Sequence, residues 1–201
     1  MARRKPVEGM LLTHGAGSDK DHPMLVAIEE RLAPIPVRRI NFPYRQREGK
    51  RPPDRAPVLL ASLRSQLDEF CAEIGTTTGR VVLGGRSMGG RVCTMLAAGA
   101  EGFEPVPIAG LVSISYPLHP PGKPEKLRTE HLPAIEVPCL FLSGDRDPFG
   151  SPVELEAATA SIPASVEHRW FPGGHDFKKC DDAVAEAVAE WIAGLAPPRR
   201  R

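Results

Sequence analysis

The segment Gly85-Arg86-Ser87-Met88-Gly89 places a serine between two glycines in the form G-x-S-x-G. A buried-strand pattern at residues 80–83 precedes the segment, and an apolar helical pattern at residues 88–100 comes after it. A sharp turn between a strand and a helix exposes a serine hydroxyl at the carboxyl edge of a sheet. This context predicts that Ser87 is a nucleophile, with an ordinary glycine-rich turn as the alternative.

Serine needs a neighbouring base to take its proton, and that base needs a carboxylate to orient it. Asp145 and Asp147 both follow the fifth predicted strand. We favour Asp147, because a Gly-x-x-Asp turn carries the side chain beyond the strand tip, and Asp145 remains the alternative. His175 follows a glycine pair after the sixth predicted strand. A lone histidine is usually a surface or packed imidazole, but the chain order Ser, Asp, His favours a catalytic triad.

A glycine turn, Thr13-His14-Gly15-Ala16-Gly17, follows the first predicted strand. Acyl transfer requires two N–H donors for the developing oxyanion. The sequence predicts that these are the N–H groups of Met88 and Ala16, with Gly15 as the next candidate. The turn lacks the G-x-G-x-x-G spacing and a G-K-[ST] ending, which argues against a nucleotide site.

Further side chains at the same edge of the predicted sheet could contact substrate. The candidates are His14, Arg86, Tyr116, Leu118 and His119. For the three that follow the fourth strand, plain loop packing is an equal alternative. A basic loop after the second strand could attract an anionic acyl substrate, although solvated charges are the simpler interpretation. Its cations are Arg45, Arg47, Lys50, Arg51 and Arg55.

The elements that would hold these residues alternate between strand and helix, which predicts a mainly parallel sheet. Strands are predicted at residues 7–12, 37–42, 80–83, 110–114, 138–142 and 166–171. Helices are predicted at 23–32, 57–74, 88–100, 152–161 and 182–193, and residues 43–55 and 116–124 look irregular. The fold class is therefore α/β, a three-layer αβα sandwich with about six strands. Only residues 115–137 separate the fourth and fifth strands, too few for a lid domain.

Composition excludes several classes of function. The 201 residues fit a single domain, residues 1–201. A formal charge of +1 gives no field that would attract nucleic acid or a membrane surface, and no apolar run approaches a membrane span. The apolar run after Arg3, Arg4 and Lys5 is shorter than a secretory signal requires, so no such signal is expected. The four cysteines are widely spaced, so reduced core thiols in a cytoplasmic protein are expected, as a monomer or homodimer without metal or cofactor. They are Cys71, Cys93, Cys139 and Cys180.

The sequence resembles the α/β-hydrolase superfamily along nearly its whole length. It is most similar to the small α/β-hydrolase-like family that includes a vertebrate testis-expressed protein and a subunit of the NSL histone acetyltransferase complex. Bacterial relatives are described as α/β-hydrolases or dienelactone-hydrolase-like. The segments that carry the resemblance are 12–17, 41–44, 84–91, 115–120 and 142–147.

The resemblance implies a parallel sheet flanked by helices and a serine-hydrolase site at Ser87, Asp147 and His175. Dienelactone hydrolases proper have Cys at the nucleophile position, so Ser87 indicates ester or thioester chemistry on a small acyl substrate. Two alternatives stay open. An acyltransferase would use the same residues, and a non-catalytic interaction module would use only the fold.

Overall fold

A six-stranded parallel sheet forms the centre of the protein, in the order β2-β1-β3-β4-β5-β6. The computed structural model describes residues 6–49 and 51–195. The strands are β1 (Gly9–Thr13), β2 (Val37–Ile40), β3 (Val81–Arg86), β4 (Gly110–Ile114), β5 (Cys139–Gly144) and β6 (Val166–Phe171). The helices are α1 (Pro23–Leu32), α2 (Pro43–Gln46), α3 (Ala56–Glu73), α4 (Met88–Ala98), α5 (Pro152–Thr159) and α6 (Asp181–Leu195). The predicted fold class is confirmed.

Side chains alternate between the two faces of the sheet, and each face has its own core. Met10 and Leu12 pack with α1 and α6, whereas Leu11, between them, packs with α3 and α4. All residues of β1, β3, β4 and β5 are buried, while the edge strands β2 and β6 are mostly half-exposed. Central strands of a parallel sheet are covered on both faces, which explains their continuous apolar runs.

Every predicted strand and helix is present, with ends shifted by a few residues. The segment 43–55 contains the short helix α2, which its composition did not predict because it is only one turn long. Pro43 occupies the first turn of that helix, where a missing N–H costs no hydrogen bond. Between β4 and β5, the only helical residues are a 3₁₀ turn at Leu132–Ala134. In the described part of the chain, no lid domain stands over the carboxyl edge of the sheet.

The cysteines form no disulfide. Cys71, Cys93 and Cys139 are buried in the core and Cys180 is partly exposed. Burial raises the pKa of Cys93 and of Cys139 to about 12, so both thiols stay protonated at neutral pH.

Candidate active site

Ser87 lies in the turn between β3 and α4, with φ 51° and ψ −118°. Residues other than glycine rarely adopt this positive φ. The Ser87 N–H donates a 2.7 Å hydrogen bond to the carbonyl oxygen of Ile114, which holds the turn in place. The strained turn directs the serine away from the sheet and leaves it partly exposed.

Two glycines allow the helix to start immediately against the strand ends. A Cβ at Gly89 would lie 2.4 Å from Thr13 Oγ1 and 2.6 Å from the His14 carbonyl oxygen. A Cβ at Gly85 would lie 2.0 Å from the same Thr13 oxygen. No side chain fits at either position, so the G-x-S-x-G pattern here is a packing requirement of the turn.

His175 connects Ser87 to Asp147. Its Nε2 lies 2.8 Å from Ser87 Oγ, and its Nδ1 lies 2.8 Å from Asp147 Oδ2. The other carboxylate oxygen of Asp147 accepts the Phe149 N–H at 2.9 Å. The Asp147 side chain is only 1% exposed, whereas that of His175 is 18% exposed. One ring nitrogen of His175 thus faces a buried carboxylate, and the other ring nitrogen faces the serine hydroxyl.

Asp145, the alternative carboxylate, faces elsewhere. Its Oδ1 accepts the N–H of Gly173 at 2.9 Å, in the glycine turn that precedes His175. Asp145 is exposed and lies beside Arg146. It therefore supports the loop that carries the histidine and does not touch the imidazole.

Two contacts of His175 were not predicted from the sequence. The Phe149 ring lies 4.2 Å from the imidazole, centroid to centroid, at an interplanar angle of 33°. Ser115 Oγ donates a 2.7 Å hydrogen bond to the His175 carbonyl oxygen. Phe149 lies two residues after Asp147, but nothing in its pattern shows which way the ring points. The only signal for Ser115 was its place in a segment that carries the family resemblance.

The turn after β1 lies against the nucleophile. A Cβ at Gly15 would be 3.5 Å from the Ser87 Cβ. The Gly15 carbonyl oxygen accepts hydrogen bonds from the Ser18 N–H at 3.1 Å and from His14 Nδ1 at 2.8 Å. Because the N–H and the carbonyl of a trans peptide point in opposite directions, these bonds also fix the Ala16 N–H. Within the described chain, neither the Ala16 nor the Met88 N–H has a hydrogen-bond acceptor.

These features are shared with a known family. Residues 6–193 match the family described as alpha/beta hydrolase domain. The chain belongs to the α/β-hydrolase family.

One curated relative and several solved structures illustrate the similarity. A pimeloyl-[acyl-carrier protein] methyl ester esterase of Stenotrophomonas maltophilia is 37% identical over 67 residues, which are 33% of this chain and 26% of that protein. This chain therefore spans about a quarter of the length of that relative.

Among solved structures, the dienelactone hydrolase of Anabaena variabilis has a TM-score of 0.72 at 20% identity, covering 97% of this chain and 89% of that one. Est1E of Butyrivibrio proteoclasticus has a TM-score of 0.69 at 16% identity, covering 95% and 89%. The RedJ thioesterase of Streptomyces coelicolor has a TM-score of 0.68 at 18% identity, covering 94% and 90%. At these identities the likeness shows the shared fold.

In this α/β-hydrolase, His14 is a core residue, contrary to the prediction that it contacts substrate. The ring is fully buried against Phe42 and Tyr44. Its Nε2 accepts the Phe42 N–H at 3.2 Å, so its Nδ1 carries the proton and donates to the Gly15 carbonyl. Burial lowers the pKa of His14, which keeps the ring neutral. Tyr44 completes the support by donating a 3.0 Å hydrogen bond to the Ala16 carbonyl oxygen.

Tyr116, Leu118 and His119 are also buried, as the packing alternative expected. The Tyr116 hydroxyl donates to the Arg128 carbonyl oxygen at 2.6 Å, and burial raises the pKa of Tyr116 to about 12. The backbone N–H of His119 donates a 3.0 Å hydrogen bond to the Phe149 carbonyl oxygen. All three side chains are therefore enclosed by the protein and do not line an open surface.

The cations of the basic loop are mostly engaged by neighbours. Arg45 Nε donates to the Ser18 carbonyl oxygen at 2.8 Å, and Arg47 pairs with Asp54 at 2.8 Å. Arg51 Nε lies 3.3 Å from the Glu48 carbonyl oxygen. Lys50 lies outside the described residues. Among these contacts, that of Arg45 is the one that reaches the turn after β1.

Arg86 differs from the other predicted contact residues, because it lines a surface cavity. Its Nη2 donates to Asp176, the residue after His175, and its Nη1 would be 3.1 Å from a Cβ at Gly15. The side chain thus bridges the two turns that flank the nucleophile.

The described residues contain neither a membrane-spanning helix nor a cluster of metal ligands. No helix there is long and apolar enough to cross a membrane. No group of three or more His, Cys, Asp or Glu side chains in residues 6–49 and 51–195 is arranged to hold a metal ion.

Proposed function

We propose that this protein is a serine hydrolase that cleaves a carboxylic ester or thioester of a small acyl substrate through an acyl-enzyme on Ser87. The observation that carries the proposal is the chain of two 2.8 Å hydrogen bonds that joins Ser87, His175 and Asp147. The family membership supports it, as do the names of the S. maltophilia methyl ester esterase and the RedJ thioesterase.

In the first half of the reaction, Ser87 Oγ bonds to the carbonyl carbon of the substrate while its proton moves to His175 Nε2. The Asp147 carboxylate accepts the Nδ1 proton, which fixes the reactive tautomer and stabilises the imidazolium. The negative charge that develops on the carbonyl oxygen is met by the N–H groups of Met88 and Ala16, with Gly15 the next candidate. The hydrogen bonds of the Gly15 carbonyl hold the Ala16 peptide, and the start of α4 holds that of Met88, which supports this assignment.

In the second half, the tetrahedral intermediate collapses and His175 Nε2 returns the proton to the departing alcohol or thiol. Water then takes the place of the leaving group, gives its proton to the same nitrogen and attacks the acyl carbon. Breakdown of the second intermediate releases the acid and restores the Ser87 hydroxyl. Since the described residues place no lid domain over the carboxyl edge of the sheet, an extended substrate can reach the serine directly.

The test is labelling with a fluorophosphonate probe, followed by mass spectrometry of the modified peptide. We expect labelling at Ser87 and none in Ser87→Ala. A panel of esters and thioesters graded by acyl length then measures hydrolysis, with added alcohol acceptors to detect acyl transfer. An unlabelled protein that hydrolyses no member of the panel would favour the interaction-module alternative.

A further inference from the structure

A cavity of about 580 Å³ lies beside the candidate active site, and the proposed mechanism does not use it. We call it the Arg86 cavity. It is lined by residues 17–18 and 22–23, by Arg86, and by the loop after His175 that includes Asp176 and Lys178. Two of its walls are therefore direct continuations of the turns that carry the candidate oxyanion donor Ala16 and the base His175.

The Arg86 side chain is only 9% exposed, yet its charge is not fully satisfied by the protein. One terminal nitrogen donates to Asp176, but the buried Nε has no acceptor in the described part of the chain. An unsatisfied donor on a buried cation is costly, and it is normally paired by an anion or by water. Nε is enclosed, but the second terminal nitrogen, Nη1, also has no hydrogen-bond acceptor among residues 6–49 and 51–195, so the guanidinium can take a further acceptor in this cavity.

Other donors converge on the same space. The cavity is lined by three cations, Arg86, Lys178 and Lys179, and by two carboxylates, Asp176 and Asp181. The ten-residue helix α1 begins here, and its first turn contains no acidic residue to offset the positive end of the helix dipole.

His22 adds a donor at the start of α1. Burial and the neighbouring Arg86 lower its pKa, so the ring is neutral. Its Nδ1 accepts the Met24 N–H at 3.2 Å, which leaves the proton on Nε2.

We propose that the Arg86 cavity binds an anionic group, a carboxylate or a phosphate, carried by the substrate of Ser87, and that Arg86 is the residue that selects for it. This inference rests on the proposed function. Only Gly15 separates the guanidinium from Ser87, because a Cβ at Gly15 would lie 3.1 Å from Arg86 Nη1 and 3.5 Å from Ser87 Cβ. At this short separation, an anion in the cavity and the carbonyl that Ser87 attacks can belong to the same small substrate. The planar fork of arginine suits both carboxylate and phosphate.

Two matched substrate pairs test the preference and distinguish its sources. Monomethyl succinate is compared with methyl isocaproate, in which an isopropyl group replaces the carboxylate. 2-Acetoxyethyl phosphate is compared with its neutral dimethyl phosphate triester. For at least one pair, we expect the protein of residues 1–201 to show a KM about tenfold lower for the anionic member, as one charge-assisted hydrogen bond would give. Equal KM values within both pairs would overturn the inference while leaving the proposed hydrolase intact, whereas no hydrolysis of either pair would contradict the proposed function itself.

Two variants separate anion binding from a purely structural role of the Arg86–Asp176 pair. Arg86→Gln should raise the KM of the anionic substrate by about tenfold relative to that of its neutral partner. Asp176→Asn removes a competing carboxylate and should lower the anionic KM. If the pair were only a strut for the His175 loop, both variants would lower kcat for all substrates alike, and that result would overturn the inference.

Arg169→Gln is the matched control, because Arg169 is an exposed arginine on β6 that pairs with Glu167 away from the cavity. It should leave both pairs unchanged. Should Arg86→Gln fail to fold, the exposed double variant K178Q/K179Q replaces it. That variant should raise the anionic KM by a smaller factor, and an unchanged anionic KM would contradict the proposal.

Discussion

Two serines at the ends of neighbouring strands share a positive φ and have different surroundings. Ser87 follows β3 with φ 51°, and Ser115 follows β4 with φ 53°. Each donates its N–H to a carbonyl oxygen of the next strand at 2.7 Å, Ile114 for Ser87 and Leu142 for Ser115. Each hydroxyl also faces His175, but Ser87 meets the ring and Ser115 the backbone carbonyl.

The two turns differ in the chain that continues from them. After Ser87 a helix starts at once, so the hydroxyl lies beside free N–H groups and stays partly exposed. After Ser115 the chain continues as a loop, and the serine is completely buried. Backbone strain therefore does not by itself identify a nucleophile. The helix start and the access to solvent separate the reacting serine from the one that holds the base in place.

The largest expected effect comes from Ser87→Ala. Since the acyl-enzyme cannot form, kcat should fall by roughly 10⁵–10⁶ on the best ester, as in other hydrolases that lose the nucleophile. Circular dichroism and the urea midpoint should stay close to those of the unmodified protein. Activity that survives in Ser87→Ala would contradict the assignment of Ser87, and not Ser115, as the nucleophile.

The next effect concerns the two competing carboxylates. Asp147→Asn should lower kcat by about 10⁴, because an amide next to Nδ1 favours the wrong tautomer of His175. Asp145→Asn keeps an oxygen that can accept the Gly173 N–H and should change kcat by less than about tenfold. Steady-state kinetics on one ester compares them. A larger loss in Asp145→Asn would contradict the placement of Asp147 in the triad.

A smaller effect is expected for Ser115→Ala, which removes the hydrogen bond to the His175 carbonyl. We expect kcat to fall by about tenfold, since loss of one buried hydrogen bond lets the base shift, while KM changes little. Ser113→Ala, on the strand that precedes Ser115, is the control, because the Ser113 hydroxyl has no hydrogen-bond partner among the described residues. If both variants have the same kcat, Ser115 does not position His175.

The smallest effect is on stability. Glycine tolerates the positive φ of the Ser87 turn, whereas alanine keeps the strain of a Cβ. Ser87→Gly should therefore be more stable than Ser87→Ala by about 1 kcal/mol in urea unfolding at equal m-value. A less stable glycine variant would show that the turn is not strained.

Most of the fold could be predicted from the sequence, because the patterns that indicate strands, helices and turns are local. Apolar runs and glycine turns define β1, β3 and β5, and a parallel sheet brings their carboxyl ends to one edge. The same logic placed Ser87, Asp147 and His175 at that edge, where the structure brings them within hydrogen-bond distance.

Side-chain direction in loops was less predictable, because it depends on packing between distant segments. Nothing near Tyr116 or His119 in the sequence says that the loop folds inward, and both residues are buried. His14 also looks like a surface residue of a glycine turn, but Phe42 and Tyr44 enclose it. Phe149 was missed for the same reason, since its contact with His175 requires two loops to meet.

The glycines around the nucleophile differ in whether they can be replaced, which matters for directed evolution of the site. Any side chain at Gly85 or Gly89 would overlap the end of β1, whereas a Cβ at Gly17 would meet nothing within 4 Å. Gly17 lines the Arg86 cavity and lies one residue beyond Ala16. A library randomised at position 17 should thus keep many more folded members than one at position 89, as a thermal-shift screen would measure. Substitutions at Gly17 can therefore change the wall of the Arg86 cavity, and with it the range of substrates, without disturbing the turn that holds Ser87.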